Sequence, residues 1–226
     1  VLISYQSKSP DAAEWAIRRA EFYPTQLGWV AAGQILRERG NFGPADSLDI
    51  SRALDKAGAL NTSTQSVQRE YIEYMQSAVG KVGVLYPGEV IKIANQGIKA
   101  TALQATDPFV RDALAEANRR LAADKASLAG LERDARAPAA TAKTVLIGAD
   151  TLLSYDQDAK AAELYQIALG KPGVDLAGTN LRLGIALIKQ GKMAEAEAAL
   201  AKVDGPRKGI AQLWILIAKG KTIPVG

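Results

Sequence analysis

The stretch Leu181–Val203, "LRLGIALIKQGKMAEAEAALAKV", decides the fold. It reads as two helices with Gly184, Gly191 and Ala196 set inside them at intervals. Gly191 sits between the two apolar-periodic halves, where a residue free of a Cβ permits a tight turn. Gly184 and Ala196 fall within the helices themselves. Small residues there let two helix backbones approach closely.

The spacing recurs. Placing Ala161 on Ala196 gives a 35-residue offset, which also brings Ala149 onto Gly184, Leu152 onto Leu187, Tyr165 onto Leu200 and Ala168 onto Val203. A further step of 34 residues brings Asn180 onto Trp214, Leu183 onto Ile217 and Gly184 onto Ala218. One helical hairpin cannot bury its apolar face alone, so hairpins of this kind stack and share a continuous core. Large residues at Leu152, Tyr165, Leu187 and Leu200 fill the space between hairpins, and the small ones let the helices of one hairpin touch.

This pattern resembles the tetratricopeptide repeat family, whose unit is a pair of antiparallel helices in about 34 residues. Leu183, Gly184, Leu187, Gly191, Ala196 and Leu200 match its motif, with Pro206 two residues early. The preceding unit is looser: Ala149, Leu152, Ala161, Tyr165, Ala168 and Pro172 match, and Asp156 stands where Gly is common. A third match lies upstream at Trp29, Gly33, Leu36, Gly40 and Ala45. Its second helix departs from the pattern, because Asp49 and Arg52 occupy positions expected to be apolar.

Start and stop signals divide the rest into helices. Ser9, Pro10 and Asp11 open one that Pro24 interrupts. Others are expected at about 25–39, 44–56, 64–79 and 89–103. Asp107 and Pro108 open a long helix to about Arg136. Two heptad series run along it: Leu114, Leu121, Leu128 and Ala135, and Val110, Ala117 and Leu131, the second broken by Asp124. The seam packs within the chain or joins two chains, and in a dimer seam Asp124 would be a buried charge. Beyond Pro138, helices are expected at about 140–154, 158–169, 176–190, 194–203 and 207–219. "KVGVLY" (81–86) is the best strand candidate and lacks a partner. The expected fold is all-α, a right-handed α-α superhelix of about eleven helices. Residues 1–138 form a helical region with one degenerate repeat and the long helix. Residues 139–226 form repeats with a capping helix and a tail.

Composition excludes several chemistries. The 226 residues are 48% hydrophobic, 23% charged and only 6% aromatic, which favours helix-on-helix packing over a β-sandwich. There is no Cys and no His. That removes Cys/His zinc sites, disulfides, thiol nucleophiles and every Ser–His or Cys–His arrangement. No phosphate loop or dinucleotide fingerprint occurs. Glu70 and Glu73 share a helix face and read as solvated acids. Asp156 and Asp158 read as caps of the helix that follows them. The formal charge of +4 is spread along the chain, and basic pairs such as Arg18–Arg19 and Arg119–Arg120 are interleaved with acids. A nucleic-acid footprint needs a denser stripe. No apolar run reaches the roughly 18 residues of a membrane span. No enzyme, cofactor, metal, nucleic-acid partner or membrane span is expected. The chain opens "VLISYQSKSP" without Met; the expectation is that an N-terminal segment has been removed, with a cleaved export signal as one candidate. A periplasmic location is the expectation, with the cytoplasm as alternative.

In the family that the repeats resemble, the first helix of each hairpin lines a concave groove. The resemblance places Lys143, Leu146, Asp150, Leu153 and Ser154 on that face in one unit, Leu181, Ile185, Ile188 and Lys189 in the next, and Gln212, Ile215 and Lys219 in the last. Six of these twelve are Leu or Ile. Either another part of the chain covers the strip, or it is an apolar groove for a partner segment with Asp150, Lys189 and Lys219 at its rim. The expected function is a non-catalytic scaffold or adaptor that binds another protein or peptide segment through this groove. The alternative is a structural or regulatory accessory of a bacterial cell-envelope assembly, acting as a homo-oligomer.

Overall fold

A computed structural model describes residues 9, 11–61, 64–79 and 85–224. Within them the chain forms eleven α-helices and no strand. They are α1 (Ala12–Phe22), α2 (Gln26–Gly40), α3 (Pro44–Lys56), α4 (Gln65–Val79), α5 (Pro87–Lys99), α6 (Pro108–Arg136), α7 (Ala142–Ser154), α8 (Asp158–Leu169), α9 (Leu176–Lys189), α10 (Met193–Leu200) and α11 (Lys208–Ala218). A 3₁₀ turn, Gly205–Arg207, leads into α11.

The boundaries follow local chemistry. Thr25, Thr141 and Asp175 each accept the backbone N–H three residues on, satisfying a donor that the helix leaves open at its start. Asp107 does the same for Phe109 and Val110 at the head of α6, with Pro108 at the first helical position. α5 begins two residues before its expected start and ends at Lys99 rather than near Leu103, because Thr101 turns left-handed at φ 57°. Part of the strand candidate at 81–86, residues 81–84, lies outside the described residues.

Helices adjacent in sequence pack on one another throughout, and α11 returns to pack on α1 and α3. Side chains from both ends of the chain therefore meet. Trp214 of α11 is 1% exposed, and its indole N–H donates to the carbonyl of Asp49 in α3. Gly209 lets α11 approach α2 closely: a methyl group there would lie 2.5 Å from Leu36 Cδ2. Beyond α11, the Ile223 N–H donates to the Ala57 carbonyl.

The hairpin α9–α10 carries the spacing that opened the sequence. A methyl group on Gly184 would lie 2.5 Å from Leu200 Cγ, so the large side chain of one helix fills the space above the small residue of the other. Ala161 and Ala196, 35 residues apart, are both fully buried. Gly191 turns left-handed at φ 78°, and Asp156, thirty-five residues earlier, does so at φ 56°. Asp156 is thus the turn residue and not a cap; Gln157 precedes α8, and Asp158 is its first residue.

α6 has 29 residues and α5 and α7 have 13 each, so α6 is about 43 Å long and its two partners about 20 Å. α5 and α7 both pack on it. The start of α5 meets the end of α7 halfway along: a methyl on Gly88 would lie 2.6 Å from the Tyr155 ring. The Tyr155 hydroxyl donates to Asp124 Oδ2 at 2.6 Å. The residue that broke the heptad marks this junction. Val110, Ala117 and Ala135 of the seam are buried within the chain, and Leu121, Leu128 and Leu131 are half-buried.

Candidate functional site

α3, α5, α7, α9 and α11 converge on one cleft of about 310 Å³. Its deep side is closed by charge. Arg52 of α3 donates from Nε and Nη2 to both oxygens of Glu89 in α5, at 2.8 and 2.7 Å, and from Nη1 to Asp49 at 3.1 Å. The Tyr74 hydroxyl also donates to Glu89. Asp49 takes a second guanidinium, that of Arg182 in α9, at 3.0 Å. Arg182 reaches Asp150 in α7 at 3.4 Å, and Asp150 accepts the Tyr165 hydroxyl at 2.6 Å. Bidentate guanidinium–carboxylate geometry is the strong form of such bonds. Burial pushes the Asp49 carboxyl above its ordinary range, against the pull of Arg182 and Arg52. Burial likewise raises the Tyr74 and Tyr165 hydroxyls, helped by Glu89 and Asp150 respectively.

The mouth of the cleft carries Asp55, Lys56, Lys92, Asp156, Asp158 and Lys189. Lys189 pairs with Asp156 and Asp158, each at 2.8 Å, and donates to the Leu153 carbonyl. Lys92 meets the other Asp156 oxygen at 3.4 Å. Burial alone would raise the Asp156 carboxyl, but Lys189 and Lys92 hold it below the ordinary value. Ile93, Leu153, Ile185 and Trp214 form an apolar floor.

The strip expected to form a groove is distributed through this arrangement. Leu153, Leu181, Ile185 and Ile188 are all buried; Leu153 and Ile185 line the cleft, and Leu181 and Ile188 do not. Leu146 and Ile215 are half-buried against the core. Asp150 belongs to the ionic network and Lys189 to the cleft mouth, while Lys219 is exposed at the end of α11. Glu70, read as a solvated acid, is 1% exposed. It accepts from Arg37 at 2.6 Å and from Gln34 at 3.1 Å, so it cross-links α2 and α4.

A second feature lies on the outside. Trp15 is 49% exposed, Phe22 72%, Tyr23 70% and Leu27 61%. Trp15 and Phe22 are two helical turns apart on one face of α1, Tyr23 ends that helix, and Leu27 opens α2. The Arg18 guanidinium lies 5.5 Å from the Trp15 ring centroid and pairs with Glu14. The other two tryptophans, Trp29 and Trp214, are buried.

Neither feature was picked out by the repeat pattern. The signal for the ionic network was the pair Asp49 and Arg52, polar residues at apolar positions. The signal for the ledge was aromatic residues sharing the polar face of a helix with Arg18. Among the described residues no cluster of three or more potential metal ligands occurs, and no helix is long and apolar enough to cross a membrane. Comparison with protein-family models, with curated proteins and with solved structures finds no match.

Proposed function

We propose that the protein is a non-catalytic interaction module built from tetratricopeptide-like hairpins, and that it binds another protein through the aromatic ledge at α1–α2. The observation that carries this reading is the exposure of Trp15, Phe22, Tyr23 and Leu27 beside Arg18. Aromatic residues and arginine are the types enriched at the centre of protein–protein interfaces. With the apolar strip of α9 buried in the chain, the ledge offers an apolar surface that the strip does not. The 35-residue register of Asp156 with Gly191 and of Ala161 with Ala196 supports the repeat reading.

The test compares co-purification from the source lysate for the native chain and for a Trp15→Ala, Phe22→Ser variant. A partner recovered with the native chain and lost with the variant, at unchanged melting temperature, supports the proposal. Equal recovery with both overturns it. A native dimer that the variant converts to monomer, seen by light scattering, favours the accessory role through self-association.

A further inference from the structure

The central cleft carries a separate inference, independent of the ledge. Most of its charge is already spoken for: Glu89 by Arg52 and Tyr74, and Asp156 by Lys189 and Lys92. Two neighbours on α3 are the exception. Lys56 is exposed, lines the cleft, and makes no ion pair among the described residues. Asp55 lines the same cleft, and among the described residues its carboxylate accepts from the neutral Gln96 amide, at 2.7 Å, with no cation in ion-pair contact. One unanswered cation and one unanswered anion, consecutive in α3, thus line a cleft that Ile93, Leu153 and Trp214 line with apolar side chains. A volume of about 310 Å³ is within the range of small-molecule sites.

We propose that this cleft binds a free apolar α-amino acid. Its carboxylate meets Lys56, with Lys92 beside it, its ammonium meets Asp55, and its side chain lies over the apolar floor. A simple carboxylate would leave Asp55 without a counter-charge, and a simple amine would leave Lys56 without one. A zwitterion with an apolar body answers both, through charge-assisted hydrogen bonds.

Isothermal titration of the full chain tests this with leucine, phenylalanine, N-acetyl-leucine and leucinamide. The expected result is saturable one-site binding of leucine or phenylalanine, with each blocked derivative about tenfold weaker or more. Lys56→Gln weakens leucine and leaves leucinamide unchanged. Asp55→Asn weakens leucine and leaves N-acetyl-leucine unchanged. If the loss of the Gln96 contact destabilises Asp55→Asn, the exposed Lys56→Gln variant still decides. No saturable binding of either amino acid overturns the proposal. So does equal binding of N-acetyl-leucine, which would make the cleft an anion site, or of leucinamide, which would make it a cation site. None of these outcomes bears on the ledge.

Discussion

The Arg182 guanidinium of α9 donates to Asp49 Oδ2 in α3 at 3.0 Å, joining residues 133 apart in the chain. Asp49 is fully buried, and its partners are this arginine, Arg52 and, through its carbonyl, Trp214. Replacing Arg182 by Met would leave Asp49 to Arg52, whose remaining donors serve Glu89, and would strip Asp150 of its cation. An incompletely paired buried charge costs about 3–5 kcal/mol. Asp49→Asn alone costs less, because Arg182 keeps Asp150 and Arg52 keeps Glu89. In the Arg182→Met background, Asp49→Asn restores part of the loss. Urea denaturation of the four proteins measures this. Equal losses in Arg182→Met with and without Asp49→Asn would locate the effect in packing rather than charge.

The same carboxyl sets a pH dependence. Burial raises the Asp49 pKa above its ordinary 3.8 in the folded state. The folded protein therefore holds that proton more tightly than the unfolded chain. The resulting stability is fully present below pH 3.8 and is lost as pH rises through the folded pKa. Relative to Asp49→Asn, the native protein should lose stability as pH is raised from about 3.5 to 7. A native protein that gains over the variant across that range would show the two arginines outweighing burial.

Asp156 behaves in the opposite sense. It holds a left-handed backbone at φ 56°, which costs a non-glycine residue about 1–2 kcal/mol. Its ion pairs to Lys92 and Lys189 are partly solvent-exposed, and such pairs contribute about 0–1 kcal/mol. Asp156→Gly should therefore be as stable as the native protein at neutral pH, or more so. The lowered pKa of Asp156 gives a contribution present above its ordinary 3.8 and lost as pH falls through the folded value. The advantage of glycine should grow on acidification. Thermal melts at several pH values decide it, and a clear loss at pH 7 would show that the lysine clamp outweighs the backbone strain.

Gly184→Ala puts a methyl group 2.5 Å from Leu200 Cγ, in a side chain that is 1% exposed and has little room to move. Overpacking of this kind costs about 1–3 kcal/mol. Gly191→Ala costs a similar amount for a different reason, since its φ of 78° is strained for any L side chain. Shortening Leu200 to Val should recover stability in the first variant and not in the second. Recovery in both, or in neither, would detach Gly184 from Leu200.

The helices were legible because their signals are local. Caps, prolines and the three- and four-residue apolar period lie within a few residues of what they specify, and α3 and α6 span 44–56 and 108–136 as expected. The 35-residue spacing was legible for the same reason, being a property of consecutive hairpins. The return of α11 to α1 and α3 was not. Trp214 and Asp49 are 165 residues apart, and nothing near either names the other. Asp49 and Arg52 stood out as misplaced polar residues, but a misplaced charge says only that a partner exists. For Arg182 and Glu89, a charge on an amphipathic helix carries no local sign of which element will cover it. Glu70 misled in the same way, since an acid on a helix face is solvated unless another element covers it, and Arg37 of α2 does. The ledge shows the reverse: Trp15 and Phe22 could have been core residues on period alone, and burial separates them from Ala16 and Ile17 on the other face.

The junction at the middle of α6 gives the last prediction. Tyr155 sits between Gly88 at the start of α5 and Asp124 of α6, with its ring against the first and its hydroxyl on the second. Asp124→Ala removes the acceptor of a half-buried hydroxyl and should cost about 0.5–1.5 kcal/mol. Gly88→Ala should cost more, about 1–3 kcal/mol, because a methyl 2.6 Å from a rigid ring forces Tyr155 or α5 to shift. If the ring is what gives way, the hydroxyl has already left Asp124 in the Gly88→Ala protein. Removing Asp124 there should then cost little, and the double variant should be more stable than the sum of the single effects implies. Strict additivity would mean that α5 moves away from α7 as a body, leaving the Tyr155–Asp124 bond intact.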